Sequence, residues 1–393
     1  MNLLSFLQTI NQLLAAGISI TAFSLLLYAL SFNLKDKVAR SFAFIMGCVV
    51  VVFVGESVAG VVSSPAWIEV WYQIQWLGII MLPPAYVHLS DAILATTGRP
   101  SRGRRTKLVK VTFLISFVFL IMVPFYILVG PLVTEGVVTP HLERTSLTWV
   151  FSAFYILSMI WAWVNFQRAY HRTVTSSGRR RIGYLIGGAL APALGSFPYL
   201  LFGSTFASQH SYVFWLTAVV SNVLVSGLIV IMAYAVAFFG VSWPDRVVKR
   251  RLIKWVMRGP VTASTVLALT TLLRRAGEPL SFFAPVVMAG TFLLMQYFIT
   301  MFSPIWERWF LFGEGKNNLA LLQNLEERLF TLDDLSQFLE SVLAAMCDRL
   351  QVTKAFAASL DPIGMDFLVS VGGQVDFDEE ELSKRITDVS SKQ

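Results

Sequence analysis

The chain has 393 residues, of which 55% are hydrophobic and 14% are charged, with a formal net charge of +7 and a mean hydropathy of +0.65. This composition excludes a soluble domain over roughly the first 300 residues. The basic residues concentrate in short segments between apolar stretches, where they face anionic lipid headgroups. We therefore predict a lipid bilayer as partner, and no nucleic acid.

Nine long apolar stretches follow one another, and each is predicted to be a transmembrane helix, because about 20 apolar residues cross the hydrocarbon core. The stretches are Leu13–Phe32, Phe42–Val62, Trp71–Leu89, Leu108–Val129, Leu147–Phe166, Ile182–Phe202, Val213–Phe239, Leu252–Leu273 and Leu280–Ile299. Their number and length predict a multi-pass membrane protein.

Lys and Arg residues alternate strictly between the connecting segments. Counted into the first two turns of the stretch that follows, the segments after the first, third, fifth and seventh stretches hold three (Lys35 to Arg40), six (Arg99 to Lys110), five (Arg168 to Arg181) and six (Arg246 to Arg258). The intervening segments hold none, one, none and two. By the positive-inside rule this asymmetry predicts an extracytoplasmic N-terminus and a cytoplasmic C-terminus in the cell's inner membrane.

The predicted fold class is an all-α integral membrane bundle of seven plus two transmembrane helices, with a short, incomplete α/β cytoplasmic tail. Residues 1–240 form the seven-helix region, and residues 241–303 form a basic connector and a two-helix transmembrane hairpin. Residues 304–330 are predicted to be a linker helix. Residues 331–393 form the cytoplasmic segment.

Local signals in the tail predict helices and strands. Thr331 and Asp334 have the spacing of a capping box and are predicted to start a helix. Two short strands, Thr353–Leu360 and Asp366–Val371, flank a turn that contains Pro and Gly. A last acidic helix is predicted over Asp378–Ile386. Because two strands bury little surface, we do not expect this tail to fold alone.

Glu56 is the most unusual residue within the predicted membrane, because a carboxyl group in hydrocarbon is costly and marks a functional site or a hydrogen-bonded pair. At 1.5 Å per residue it lies about 9 Å below the outer end of its helix. The predicted ligand-binding residues share this outer layer and are Glu56, Gln73, Gln75, Tyr199, Trp215 and Asn222. Two interpretations are open: a pocket for an unknown small molecule, or interhelical hydrogen bonds that hold the bundle together.

Motifs of catalysis and cofactor binding are not found in the sequence. None of the four histidines has the context of a phosphoacceptor, and no Gly-rich phosphate loop or set of metal ligands is present. We predict no catalytic residues, no metal and no cofactor, and the sequence leaves enzymatic activity uncertain.

Several segments resemble the seven-helix N-terminal sensor region of bacterial membrane histidine kinases. The third stretch contains WYQIQWLGIIMLPP at Trp71–Pro84, similar to that family's run of a glutamine, an aromatic residue, a glycine and a proline. The seventh stretch leaves through Ala233–Phe239 into the basic Asp245–Arg251, which is similar to the family's amphipathic connector. Phe302–Phe310 resembles the junction between membrane and cytoplasm in such kinases.

The end of the chain, with a helix over Thr331–Leu350 and a strand over Lys354–Leu360, resembles the opening of a GAF domain. The resemblance implies a sensor in a two-component system, partnered by a cytoplasmic kinase module or by a second copy through the linker helix. Two other interpretations are a small-solute transporter and a non-catalytic membrane assembly subunit. A transporter is expected to show broken helices in matching halves, and the sequence shows no internal repeat.

Overall fold

The computed structural model describes residues 3–31, 36–97, 103–134, 137, 139–191, 194–195, 210–237, 245–275, 283–311, 332–350, 352–361 and 364–372. The helices are α1 Leu3–Ser31, α2 Lys37–Ala59, α3 Pro65–Thr96, α4 Arg104–Met122, α5 Ser146–Arg172, α6 Ser176–Gly188, α7 Ser211–Val236, α8 Asp245–Val256, α9 Thr262–Arg275, α10 Ala284–Leu311 and α11 Leu332–Leu350. The strands are β1 Val129–Val133, β2 His141–Arg144, β3 Ala355–Asp361 and β4 Gly364–Val371.

Within these residues, seven helices are long and apolar enough to cross a membrane. Five of them are α1, α2, α3, α5 and α7, and the other two are Arg250–Arg275 and Ala284–Ser303. The chain is a helical, multi-pass membrane protein, as predicted. The predicted fourth helix corresponds to α4, which has 19 residues and begins with several basic ones. The predicted sixth is described only over α6 and a few later residues.

Helices α2 and α3 form the tightest pair because small residues let their backbones approach closely. A Cβ atom on Gly78 would lie 2.6 Å from the carbonyl oxygen of Cys48 and 2.7 Å from a methyl carbon of Val52. A Cβ atom on Gly55 would lie 2.9 Å from the Cβ atom of Gln75. Fully buried side chains such as Ile80 continue this core into the neighbouring helices.

The fourth helix ends at Met122, so the predicted end at Val129 was wrong. Pro124 explains the difference, since proline has no backbone N–H to donate and its ring clashes with the preceding helical turn. The chain then forms an antiparallel β-hairpin of β1 and β2, in which Val129 pairs with Arg144 and Leu132 with Leu142. This hairpin caps one end of the bundle, which we call the hairpin end.

Helices α8 and α9 join through a π-helical segment, Met257–Val261, which contains Pro260. The helix thus continues through the proline as a π-bulge, in which i→i+5 hydrogen bonds replace the i→i+4 bonds of the α-helix over one turn. Helix α10 then runs antiparallel beside α9 and continues to Leu311. Most of the predicted linker helix, residues 312–330, lies outside the described residues.

In the tail, α11 packs against the antiparallel pair of β3 and β4. The two strands lie close to their predicted positions. The centre of the predicted turn between them, residues 362–363, lies outside the described residues. The predicted last helix, Asp378–Ile386, lies outside the described residues. The tail as described therefore has one helix and two strands.

Candidate functional site

A cavity of about 400 Å³ lies inside the bundle, between α2, α3, α5 and α7 and beneath the β1–β2 hairpin. A volume of this size is in the range of small-molecule sites. Most of its wall is apolar, with polar groups from the hairpin, α3 and α5. This combination suits a ligand that is largely apolar and is oriented by a few polar contacts.

Two threonines fix the hairpin to the start of α5. The hydroxyls of Thr145 and Thr148 both donate to the carbonyl oxygen of Leu128, at 2.8 and 2.6 Å. The backbone N–H of Thr145 donates to the hydroxyl of Thr148 at 3.0 Å, which completes a capping box at the helix start. The hairpin is thereby held over the cavity rather than left as a free loop.

The hairpin contributes a cation to the cavity wall. Leu142 and Arg144 of β2 both line the cavity. Burial lowers the pKa of the Arg144 guanidinium below its ordinary value. Arginine nevertheless stays protonated in proteins, so the cavity has a fixed positive charge at its hairpin end.

Further polar groups surround this charge at the hairpin end. Tyr72 and Gln75 of α3, His141 of β2 and Thr148 of α5 all line the cavity. The His141 Nδ1 atom lies 3.1 Å from the carbonyl oxygen of Thr139. These side chains can donate hydrogen bonds to a polar ligand group or accept hydrogen bonds from it.

The deep end of the cavity is apolar apart from two tyrosines. Tyr86 and Tyr155 line it together with aliphatic residues of α3, α5 and α7. The Tyr86 hydroxyl donates to the Met232 sulfur at 3.6 Å. Next to the cavity, Phe119 and Phe151 pack edge to face with centroids 5.4 Å apart. The ligand portion that reaches this depth must be apolar.

Of the predicted ligand-binding residues, Gln75 lines the cavity, and it is 2% exposed. Glu56 and Gln73 are half-buried and lie outside the cavity lining. Trp215 is buried in a separate cluster with Phe214 near the start of α1. Tyr199 lies outside the described residues.

Asn222 is also separate from the cavity, because its side-chain amide donates to the Asn11 side-chain oxygen of α1 at 2.9 Å. Both asparagines are buried. The structure thus gives Asn222 an interhelical partner, and only Gln75 among the described predicted residues reaches the cavity.

Sequence reasoning missed the hairpin and the position of Arg144 in the cavity wall. One available signal was Arg144, which is the single Lys or Arg residue between the fourth and fifth apolar stretches. Another was the Gly130–Pro131 pair with Pro140, because these residue types are typical of turns and irregular segments. These signals could have ended the fourth helix earlier. They do not predict that the hairpin folds back over the helices.

A second set of contacts joins α1 to α7 and to the α8–α9 segment, and we call it the α1 bridge. It consists of three contacts: Asn11 with Asn222, Gln12 with Arg275, and Ser24 with Trp255. The Arg275 guanidinium donates to the Gln12 side-chain oxygen at 2.9 Å and also to the Thr9 hydroxyl.

At the opposite end of α1, the Trp255 indole N–H donates to the Ser24 hydroxyl at 2.8 Å. Tyr28 and Trp255 also pack with ring centroids 5.5 Å apart. The α1 bridge therefore fixes the α8–α9 segment to α1 at two levels of the membrane.

Among the described residues, no group of three or more His, Cys, Asp and Glu side chains could hold a metal ion. The two cysteines, Cys48 and Cys347, are buried and not joined to each other. The described site therefore offers binding groups in a cavity and a set of interhelical contacts.

Comparison with known proteins gives one match. A family model described as the N-terminal 7TM region of histidine kinase matches residues 14–229. The match covers α2 to α6 completely, together with most of α1 and α7, and so includes every described residue of the cavity lining. No curated protein and no solved structure matches the chain.

Proposed function

Because the chain belongs to the family of the N-terminal 7TM region of histidine kinases, we propose that it is a membrane sensor. In this proposal, a stimulus from outside the cell or from the bilayer changes the packing of the seven-helix region. The two-helix hairpin of α9 and α10 passes the change to a cytoplasmic output. The alternatives of a transporter or an assembly subunit gain no specific support from the described contacts.

The cavity supports the first half of this proposal. It lies within the residues that the family match covers, and it is closed at one end by a hairpin that α5 holds in place. By the predicted orientation, the hairpin end faces outward. A ligand bound in the cavity contacts α3, α5 and the hairpin at once, and it can bias their packing only by binding one arrangement better than another.

The α1 bridge carries the second half of the proposal, and it is the single observation on which the coupling rests. Helix α1 contacts α2 and α7 on one side and the α8–α9 segment on the other. Its polar contact with Asn222 is buried, and its contacts with Trp255 and Arg275 lie at exposed positions. Interhelical hydrogen bonds contribute to helix association in membranes. A movement of α1 therefore reaches both regions.

We also propose a route from the membrane helices to the tail. Helix α10 continues beyond its apolar span to Leu311, toward the tail. We propose that the tail is a GAF-like segment, and that the output is a kinase module or a second copy engaged through the linker. The predicted cytoplasmic position of the tail is required for this output.

A disulfide lock across the α1 bridge tests the coupling. A Cβ atom on Gly17 of α1 would lie 3.8 Å from the Cβ atom of Ser264 of α9, which is within the range that a disulfide spans. The full chain, fused after Gln393 to the catalytic module of a histidine kinase, is assayed for autophosphorylation in membrane vesicles. The Gly17→Cys/Ser264→Cys variant should change its autophosphorylation when oxidised and regain the original level when reduced.

The matched control is Gly227→Cys/Ser264→Cys, because no Ser264 atom lies within 4 Å of a Cβ atom on Gly227 of α7 and the pair cannot bridge. The single-cysteine variants control for Cys48 and Cys347. If mass spectrometry shows a complete Gly17–Ser264 cross-link and autophosphorylation is the same as in the control, the proposed coupling through α1 is wrong.

A further inference from the structure

The chain passes from α4 into the β1–β2 hairpin through a strained residue. Among the described residues, Tyr126 is the one non-glycine residue with a positive φ, at 57°. This left-handed conformation is costly for a bulky residue, because its Cβ atom crowds the backbone. Such strain persists where the surrounding structure holds the residue in place, and it is often found at elements that move.

The backbone hydrogen bonds around Tyr126 form a Schellman motif at the end of α4. The N–H of Ile127 donates to the carbonyl oxygen of Met122 at 3.2 Å. The N–H of Tyr126 donates to the carbonyl oxygen of Val123 at 3.1 Å. Glycine is the usual residue at the left-handed position of this motif. A tyrosine there is unfavourable for the backbone, so a contact of its side chain is needed to offset the cost.

The side chain of Tyr126 makes two such contacts with α3. Its phenol donates a hydrogen bond to the Glu69 carboxylate and accepts one from the Gln73 side chain. The bond to Glu69 raises the pKa of the phenol, because the carboxylate stabilises the protonated form. Glu69 and Gln73 are four residues apart and therefore lie on the same face of α3. Tyr126 thus joins the entry of the hairpin to the outer end of α3.

A further side-chain hydrogen bond joins α3 to the hairpin. Tyr72 bonds to Thr139, in the loop between β1 and β2. Tyr72 is half-buried and Tyr126 is 48% exposed. Water competes for hydrogen bonds at such positions, so each contributes little net stability. The attachment of the hairpin to α3 is therefore a weak one.

The attachment of the hairpin to α5 is firmer. The carbonyl oxygen of Leu128 accepts hydrogen bonds from two hydroxyls of the α5 capping box, and Leu128 is fully buried. The chain also runs from the end of β2 at Arg144 to the start of α5 at Ser146 through a single residue. Because the α5 side is buried and covalently joined, the hairpin separates from α3 before it separates from α5.

We propose that Tyr126, Glu69 and Gln73 form a latch between α3 and the hairpin, and that this latch opens while the hairpin stays on α5. Opening breaks two hydrogen bonds of the phenol, but it lets Tyr126 leave the left-handed conformation, which offsets part of that loss. The signalling role of the latch rests on the proposed sensor function. The cavity lies beneath the hairpin, so a bound molecule can shift the balance between the closed and open latch.

Distances between spin labels test the latch in the full chain, reconstituted in phosphatidylcholine nanodiscs. Labels on Thr134→Cys and Val70→Cys span the hairpin and α3, and labels on Thr134→Cys and Val150→Cys span the hairpin and α5. All three positions are exposed. The native cysteines are replaced as Cys48→Ala and Cys347→Ala. Double electron–electron resonance then gives the fraction of molecules with a longer hairpin-to-α3 distance.

Two variants of Tyr126 separate its hydrogen bonds from its backbone strain. Tyr126→Phe keeps the strain and removes the hydroxyl, so the longer-distance fraction should rise about fivefold, the change expected for one net hydrogen bond. Tyr126→Gly also lacks the hydroxyl, but glycine adopts a positive φ without cost. Its fraction should lie between those of the native chain and Tyr126→Phe. The hairpin-to-α5 distance should stay the same in both variants.

An unchanged hairpin-to-α3 distance in Tyr126→Phe would overturn the latch. A fraction in Tyr126→Gly that equals or exceeds that in Tyr126→Phe would contradict the role of the strain. Glu69→Leu removes the acceptor and should open the latch as Tyr126→Phe does, with no further opening in the double variant. Glu69→Leu therefore decides the proposal even if Tyr126→Phe fails to fold.

The matched control is Tyr212→Phe, which removes the hydroxyl of a tyrosine that is 55% exposed at the start of α7. It should change neither distance, and an effect equal to that of Tyr126→Phe would contradict a specific latch. Because the distances have no signalling readout, this test is independent of the disulfide lock. A working latch with an ineffective lock removes the coupling alone, and an effective lock with unchanged distances in Tyr126→Phe removes the latch alone.

Discussion

Helices α3 and α10 have similar mean hydropathy, 1.4 and 1.6 over their most apolar windows, but differ sharply in burial. In α3, 78% of that window is buried against other helices, compared with 6% in α10. Hydropathy therefore identifies a membrane helix without indicating its protein contacts, because lipid tails and apolar side chains are equivalent surroundings. The packed α2–α3 pair acts as a frame, and α10 is held by few neighbours within the described chain.

The largest expected effect comes from adding one methyl group to the frame. Gly78→Ala places a Cβ atom 2.6 Å from a backbone oxygen and 2.7 Å from a Val52 methyl group, neither of which moves easily. Overpacking of this kind costs about 1–3 kcal/mol. We expect a clear loss of stability in detergent, measured by circular dichroism during denaturation with SDS.

Gly290→Ala on α10 is the matched control, because no atom lies within 4 Å of a Cβ atom there. It should leave stability unchanged or raise it slightly, as alanine favours helix. Equal losses in the two variants would remove the proposed contrast between the packed frame and the exposed α10.

The sequence predicted the helical membrane fold well because apolar length alone identifies a spanning helix. The family resemblance was confirmed by the match over residues 14–229, which contains Trp71–Pro84. The segments quoted after α7 lie beyond this match, so their resemblance stays a prediction. The β1–β2 hairpin was missed, since the fourth apolar stretch continues past Pro124 and its hydropathy masks the end of the helix. Tertiary packing places the hairpin, and local sequence does not encode that position.

The candidate site was harder to predict than the fold. A depth calculation puts Gln75, Trp215 and Asn222 in one layer, but it does not give the rotation of each helix. Rotation is set by packing against neighbours, and it directs Gln75 into the cavity while Asn222 meets Asn11. Arg144 was recognised as a loop cation for topology, and only the fold brings it to the cavity wall.

A smaller effect is expected at the other end of the frame. Arg105 of α4 binds the Asp91 carboxylate through two nitrogen atoms, at 2.6 and 2.8 Å. Asp91→Asn should destabilise the protein by about 1–2 kcal/mol, below the range for a fully buried charged pair because Arg105 is a quarter exposed.

The control for that pair is Arg104→Gln, since Arg104 is exposed and adjacent. It should have little effect in the same SDS denaturation assay. If Asp91→Asn is as stable as Arg104→Gln, the ion pair does not contribute to the frame.

The smallest effect is expected for the buried asparagine pair of the α1 bridge. Interhelical hydrogen bonds in membranes average about 0.6 kcal/mol, so the coupling between Asn11→Ala and Asn222→Ala in a double-mutant cycle should be near that value. Denaturation of both single variants and the double variant gives this coupling. A coupling of zero would show that the two side chains do not stabilise the α1–α7 contact.

The most direct test of a sensor that signals across the membrane is its topology. Reporter fusions after Thr97, Ser177 and Lys392 should all be cytoplasmic, and a fusion after Thr139, within the loop of the β1–β2 hairpin, should be external. This result would place the hairpin end of the bundle and the tail on opposite sides of the membrane. An external reporter at Lys392 would contradict the account, because the α9–α10 pair would then not return the chain to the cytoplasm and no cytoplasmic output could be reached.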